Sequence, residues 1–144
     1  SRVMPDEGSS HVSEGTRVVY DSNPPTSGDH WPTPLRDGVY DTEKPDEGAV
    51  HGLEHGRIWI TYKPDIGEEA VNALLEAMKG QFGVIISPRA ANDTDIALAA
   101  WMRLDTFDLP EDGILDTKRI LDFTMRYRNK GPEYVPQMVG KTYE

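Results

Sequence analysis

The chain contains no cysteine among its 144 residues. This absence excludes disulfides, thiolate metal sites, iron–sulfur clusters and cysteine nucleophiles together. It does not fix the compartment, because a cysteine-free chain suits an exported protein as well as a cytosolic one.

Long apolar runs and an excess of positive charge are also absent. No apolar stretch approaches the roughly 18 residues of a membrane-spanning helix. The chain has 25 acidic and 15 basic residues, a formal net charge of -10. Such a surface repels nucleic-acid phosphates and anionic lipids, so we expect no nucleic-acid partner. Because the chain begins at Ser1 and not at methionine, we expect that a signal peptide or anchor precedes it.

Several common catalytic motifs are missing as well. The sequence has no G-x-S-x-G elbow, no G-x-G-x-x-G loop and no phosphate-binding loop. The acidic stretch over residues 37–47 lacks the spacing of a calcium-binding EF-hand. Attention therefore turns to the four histidines of the chain.

The length of the chain is that of one domain. Residues 1–48 hold six of the eleven prolines and show almost no helical periodicity, which favours extended and turn-rich backbone. We predict a flexible segment over residues 1–12 and a single α+β domain over residues 13–144. That domain divides into an extended wrap (13–48), a core (49–136) and a tail (137–144).

Hydrophobic periodicity beyond residue 55 predicts alternating strands and helices. The pattern predicts three strands, over residues 57–62, 83–86 and 95–104. It also predicts two helices. The first runs from a capping box at Asp65 to Gly80, and the second is capped by Asp116 and ended by Gly131 and Pro132. This βαββα order predicts an α+β fold with a small antiparallel or mixed sheet of three or four strands and two helices on one face. The proline-rich wrap would then cover the opposite face, where Trp59 and Trp101 point.

Residues 51–56 read HGLEHG, so His51 and His55 stand four positions apart. On a helical turn, side chains at this spacing share a face about 6 Å apart, close enough for both imidazoles to bind one metal ion. On a strand, the two side chains would stand about 13 Å apart, too far to chelate. The spacing therefore predicts a metal site if these residues form a helical turn.

His30 completes a three-histidine ligand set with His51 and His55. It lies in a proline-rich turn over residues 24–31, which would hold the imidazole at a fixed angle. Nitrogen ligands suit zinc or copper(II), and an added thioether selects copper(I). Possible additional ligands are Met102, Met125 and His11. Glu54 is predicted to support the site by orienting an imidazole N–H group.

Two other interpretations of the histidines stay open. H-x-x-E-H is also the inverted zincin pattern, in which the glutamate activates water for hydrolysis. Gly52 and Gly56 oppose that interpretation, since each weakens a helix by about 1 kcal/mol. Alternatively, the histidines and glycines only organise the junction between the wrap and the sheet, with no metal.

Several short motifs of the chain resemble an uncharacterised prokaryotic family, the domain-of-unknown-function family numbered 3105. The matching strings are PPTSG-x-H ending at His30, GVYD over 38–41, VHxxEHG over 50–56, AWxR over 100–103 and GPE over 131–133. The resemblance implies an exported domain, commonly tethered to the membrane by an N-terminal segment. It also implies that His30, His51, Glu54 and His55 belong to the family signature, with His11 matching a further histidine. Met102 stands where the family pattern has glycine.

Together, these observations predict an extracytoplasmic metal-binding protein, most simply for copper and next for zinc. Its role would be binding, storage or delivery, with a metal-donor or metal-acceptor protein as a possible partner. The alternatives are a zinc-dependent hydrolase that uses the H-x-x-E-H motif and a structural or interaction domain without metal.

Overall fold

A computed structural model describes residues 1–135, so the predicted tail over 137–144 lies outside the described residues. Its elements in chain order are β1 (Arg2–Val3), β2 (Gly38–Val39), α1 (Asp46–Glu54), β3 (Ile58–Tyr62), α2 (Glu68–Met78), β4 (Val84–Pro88), β5 (Ile96–Ala100), β6 (Arg103–Phe107) and α3 (Thr117–Tyr127). Within this part of the chain, no helix has the length and apolar character that a membrane crossing requires.

The strands form one mixed sheet in the order β1-β6-β5-β3-β4-β2. The fully buried strand β3 lies inside it, parallel to β4 and antiparallel to β5. The predicted α+β class and mixed sheet are confirmed. The sheet has six strands instead of three or four, because the short edge strands β1 and β2 add to its two sides.

Helices α2 and α3 pack on one face of the sheet, as predicted. Their buried side chains join the inward residues of the strands in one apolar cluster, which includes Ile58, Ile60, Leu74, Met78, Ile96, Leu98, Ile120 and Phe123. The opposite face carries a second cluster, in which Trp59 and Trp101 pack with Tyr40 and Leu35 of the wrap and with Leu53 of α1. The wrap therefore covers the face where the two tryptophans point, together with a third helix.

The predicted long strand over 95–104 is wrong, since it is a hairpin of β5 and β6. The chain reverses at Trp101 and Met102, so Ala100 pairs with Arg103. Met102 has a φ of 61°, a left-handed conformation that suits a tight turn but is uncommon for methionine. The reversal turns Leu104 to the face of Trp59, whereas one continuous strand would place it with Leu98.

The helix ends differ from the predicted ones in two places. Helix α2 begins after Gly67 with no side-chain cap, so the predicted capping box at Asp65 is wrong. The Asp116 cap of α3 is confirmed, because its side chain accepts a hydrogen bond from the Arg119 amide. Helix α3 ends at Tyr127, before Gly131, because Asn129 already takes a left-handed φ of 64°.

Helix α1 begins inside the segment predicted to be an extended wrap. All of its residues from Glu47 to Glu54 are buried. A helix enclosed in this way has no solvent-exposed face, so its sequence lacks the exposed polar stripe that marks a surface helix. Asp46 and Glu47 occupy its first turn, where acidic side chains interact favourably with the helix dipole.

Residues 1–12, for which we predict flexibility, contact the rest of the domain at several points. Strand β1 pairs with β6, and the Met4 amide donates a hydrogen bond to the Met102 carbonyl. Further along, His11 forms an isolated parallel bridge with His30. The segment therefore carries His11 to the proline-rich turn.

Candidate metal centre

Helix α1 supplies His51 and Glu54 and ends at its C-cap residue, His55. The helical turn on which the chelation argument depends is therefore present. The Nε2 atoms of His51 and His55 lie 3.1 Å apart. Gly52 has a packing role, because a Cβ atom there would lie 2.9 Å from the Ile85 Cδ1 atom of the sheet. The glycine that argued against a helix thus lets α1 approach strand β4.

The proline-rich turn holds His30 through backbone hydrogen bonds. The His30 amide donates to the Ser10 carbonyl, and the His30 carbonyl accepts from the Val12 amide. The neighbouring Trp31 amide donates to the Glu47 carbonyl in the first turn of α1. These contacts fix the buried His30 between the N-terminal segment and the helix.

All four histidines of the chain meet Glu54 in one group, which we call the histidine cluster (His11, His30, His51, Glu54 and His55). The ring centroid of His11 lies 5.1 Å from the ring centroid of His30 and 5.1 Å from that of His51. The His30 and His51 centroids are 4.7 Å apart, and those of His51 and His55 are 4.5 Å apart. Potential ligand atoms of His11, His30, His51 and Glu54 all lie within 4.8 Å of one another. The sequence motifs on two separate segments therefore converge on an arrangement that can hold a metal ion.

Hydrogen bonds to backbone carbonyls set the tautomers of two of these imidazoles. The Nδ1 atom of His30 lies 2.8 Å from the Gly28 carbonyl oxygen, and that of His51 lies 2.6 Å from the Trp31 carbonyl oxygen. A carbonyl can only accept, so each Nδ1 atom carries the hydrogen. The Nε2 lone pairs are then directed into the cluster, and the N–H groups that we expected Glu54 to orient are held by carbonyls instead.

The Nε2 atom of His30 lies 3.2 Å from the Oε1 atom of Glu54. Both atoms are buried, and neither has a hydrogen-bond partner among the described residues. With Nδ1 protonated, the neutral ring presents a lone pair at Nε2, so this contact joins two acceptors when Glu54 is ionised. A bound cation would satisfy both atoms, and leaving buried polar groups unsatisfied costs about 1–3 kcal/mol each.

Burial favours the neutral form of three imidazoles of the cluster. It lowers the pKa values of His30, His51 and His55, although the Gly28 and Trp31 carbonyls partly oppose this for the first two. Burial also raises the pKa of Glu54 to about 7, and contact with Glu133 adds to the rise. These directions disfavour an imidazolium–carboxylate pair of His30 with Glu54, and neutral imidazole is the form that binds metal.

Two distances between ligand atoms of the cluster are close to those found between neighbouring ligands of metal ions. Metal bonds of about 2.0–2.1 Å in a tetrahedral site separate neighbouring nitrogen or oxygen ligands by about 3.3 Å. The observed separations are 3.1 Å for His51 and His55 and 3.2 Å for His30 and Glu54. The donor set of imidazoles and carboxylate is one that zinc and copper(II) accept.

The two methionines proposed as additional ligands lie in different places. Met125 is on α3, is 65% exposed and has its sulfur 3.5 Å from an Arg128 nitrogen. The structure therefore does not bring its side chain into the histidine cluster. Met102 lies at the β5–β6 turn and lines a surface groove with Val3 and Tyr127.

The sequence analysis did not identify Glu133 as a site residue. Ligand atoms of Glu54, His55 and Glu133 also lie within 4.8 Å of one another. The Glu133 amide donates to the Glu54 carbonyl at 3.0 Å, which fixes the segment against the end of α1. The only sequence signal for this residue was its place in the GPE string over 131–133.

Comparison with known proteins identifies a family but no characterised relative. Among curated proteins and among solved structures, none matches this chain significantly. The family model described as a protein of unknown function (DUF3105) matches residues 11–139, which is most of the chain and includes all four histidines. The protein therefore belongs to the DUF3105 family.

Proposed function

We propose that this domain binds transition-metal ions in the histidine cluster and handles copper outside the cytoplasm. The observation that carries the proposal is the contact of the His30 Nε2 atom with the Glu54 Oε1 atom. When Glu54 is ionised, two buried acceptors face each other at 3.2 Å without a hydrogen-bond donor, and a metal ion would supply the missing positive charge. His11, His30, His51 and Glu54 would hold the ion, and His55 lies next to His51.

The donor set supports copper ahead of zinc. Affinity for nitrogen and oxygen ligands rises along the first-row divalent ions to copper(II) and falls again at zinc. Met102 would add a thioether for copper(I) only if its side chain left the groove of Val3 and Tyr127. We therefore propose copper(II) as the ion that the histidine cluster binds, with zinc as the alternative.

The exposure of His11 supports exchange of the metal with a partner protein. His30, His51 and Glu54 are buried, whereas His11 is exposed. An exposed ligand lets a second protein approach the ion, so the site suits delivery or reversible storage better than permanent structural binding. The extracytoplasmic location is part of the proposal, and it rests on the sequence motifs whose resemblance implies an exported domain.

Metal content of the untagged protein tests this function. We would load the wild type with Cu(II), Zn(II) or Cu(I), dialyse it, and measure bound metal by elemental mass spectrometry. The wild type should retain at least one equivalent of copper, and His30→Ala and His51→Ala should lose most of it. The control is Ser87→Ala, which removes a buried hydroxyl that accepts from Trp59 on β3, outside the cluster.

Circular dichroism would confirm that each variant is folded before its metal content is compared. Retention of metal by both folded histidine variants at the level of the wild type would contradict the proposal. So would the absence of bound metal in the folded wild type.

A zinc-dependent hydrolase is the second candidate, and the position of Glu54 favours it. A carboxyl group with a pKa of about 7 beside a metal site suits a general base. Against it, the Glu54 oxygen lies at the ligand side of His30, where it would bind the ion and not a water molecule. Glu54→Gln separates the two functions, since a hydrolase would keep its zinc and lose turnover of ester or peptide substrates. A binding protein would show no turnover in either form and would bind metal more weakly.

A further inference from the structure

We propose that the histidine cluster continues into a second metal subsite formed by Glu54, His55 and Glu133, with Glu54 bridging two ions. The inference rests on the proposed function, because a bridge requires an ion on the His30 side as well. It assigns roles to His55 and Glu133 that the first subsite does not use.

The backbone after α3 positions Glu133 beside the end of α1. The amides of Asn129, Glu133 and Val135 donate to the carbonyls of Gly56, Glu54 and His55, at 2.8, 3.0 and 3.3 Å respectively. Three bonds along seven residues hold this segment in a fixed register. The backbone that carries Glu133 is therefore fixed to the end of α1, and the Glu133 side chain lies close to that of Glu54.

Gly131 makes this close approach possible. A Cβ atom at residue 131 would lie 2.2 Å from the Glu54 carbonyl oxygen and 2.6 Å from the Leu53 carbonyl oxygen. Both neighbours are backbone atoms of α1, which cannot move without disturbing the helix. The glycine thus allows the segment to lie directly against the residue that we assign as the bridge.

The ligand atoms divide into two groups that share one residue. The first group contains His11, His30 and His51, the second contains His55 and Glu133, and Glu54 belongs to both. A carboxylate has two oxygens and can bind one ion with each, as in two-metal sites with ions about 3.5–4 Å apart. The Nε2 atoms of His51 and His55, 3.1 Å apart, lie on the boundary between the groups.

The buried carboxylate of Glu54 belongs to both groups of ligand atoms, and its Oε1 atom faces the His30 Nε2 atom of the first subsite. Glu54 is 3% exposed, and its Oε1 atom has no hydrogen-bond partner among the described residues. The neighbouring carboxyl group of Glu133 adds a like charge, so two adjacent carboxylates require a shared proton or cation. A second divalent ion neutralises this pair, and its imidazole and carboxylate ligands suit first-row metals such as zinc or copper.

Metal stoichiometry tests the inference, with Glu133→Gln as the decisive variant. Glu133 is exposed, so the substitution leaves the buried core intact. In a calorimetric titration of the full chain with Zn(II), the wild type should bind about two equivalents and Glu133→Gln about one. The matched control is Glu69→Gln on the exposed side of α2, which changes the charge equally and should still bind about two.

Electron paramagnetic resonance provides a second readout on the copper-loaded protein. Two copper(II) ions bridged by one carboxylate should couple, so the spin count should fall below the copper content. The Glu133→Gln variant should restore equality between spins and copper.

The possible results separate this inference from the proposed function. About one equivalent in both wild type and Glu133→Gln would overturn the second subsite and leave the first. About two equivalents in both would also overturn it, because Glu133 would not be a ligand. No bound metal in any protein would contradict the proposed function itself.

Discussion

His30 on the proline-rich turn and Glu54 on helix α1 place two buried acceptor atoms 3.2 Å apart. The Nδ1–H group of His30 donates a hydrogen bond to the Gly28 carbonyl. The His30 ring therefore cannot rotate away from Glu54 without losing that hydrogen bond. The protein thus contains a place for positive charge that its own side chains leave unfilled. The metal-binding account follows from this relationship.

Glu54→Gln should change metal affinity and the stability of the metal-free protein in opposite directions. The new amide group can donate a hydrogen bond to the His30 Nε2 atom, which should raise the free energy of unfolding by about 1 kcal/mol. The same substitution removes a negatively charged ligand, so the affinity for zinc should fall by about tenfold or more. Urea denaturation of the metal-free protein and a zinc titration measure the two effects. A loss of stability with unchanged zinc affinity would contradict the assignment of Glu54.

Metal affinity should rise with pH through neutrality. The pKa of Glu54 is about 7, whereas burial lowers the pKa values of His30, His51 and His55 from their usual value. Burial therefore favours imidazoles that are ready to bind, whereas Glu54 must first release a proton near neutral pH. Affinity should fall by about tenfold for each pH unit below 7. Calorimetry in buffers of different ionisation enthalpy measures the released proton, which should be absent in Glu54→Gln.

Gly131→Ala should destabilise the protein and disturb metal binding together. The added Cβ atom would meet backbone atoms of α1 at 2.2–2.6 Å, so the segment carrying Glu133 must move away. We expect a loss of about 2–3 kcal/mol in the free energy of unfolding and a lower bound-metal content. Gly113→Ala is the control, because it has a positive φ but no atom within 4 Å of the new Cβ. The free energy of unfolding of the Gly113→Ala variant should fall by about 1 kcal/mol through backbone strain, and the variant should keep its metal. Equal effects of the two substitutions on metal content would contradict the role of the Gly131 contact.

Met102→Gly should stabilise the fold and leave metal content unchanged. A left-handed residue other than glycine costs about 1–2 kcal/mol, whereas glycine adds about 0.5–1 kcal/mol of unfolded-state entropy. The difference between these two effects predicts that the free energy of unfolding rises by about 0.5 kcal/mol, which thermal denaturation can measure. Because the methionine lines a groove with Val3 and Tyr127, its thioether should not contribute to the copper site. Copper loss in this variant, but not in the exposed control Met125→Leu, would instead make Met102 a ligand.

The sequence predicts the local parts of the candidate site well and its distant parts poorly. The spacing of His51 and His55 and the rigid turn around His30 indicated three imidazoles of one site, and the structure brings them together. Glu133 was not identified, because its approach depends on tertiary contacts between the ends of α1 and α3. Such a pairing leaves no periodic signal along the chain.

The same distinction holds for the fold. Periodicity predicted α2 and α3, whose faces differ in polarity, and short apolar runs predicted the buried central strands. It missed α1, whose residues are buried on all sides. It also missed the β5–β6 turn, since Trp101 and Met102 lack the Asn-Gly chemistry of common hairpins. Met102 has a left-handed φ there, a conformation that favours glycine.

Nitrogen-15 NMR of the histidine side chains, with and without Zn(II), tests the central claim most directly. The metal-free protein should show His30 and His51 as neutral rings protonated at Nδ1, because Gly28 and Trp31 accept those hydrogens. Zinc should then shift the Nε2 resonances of both rings and leave the Nδ1 atoms protonated. Rings protonated at Nε2, with no change when zinc is added, would show that the histidine cluster is a hydrogen-bonded structural element and would contradict this account.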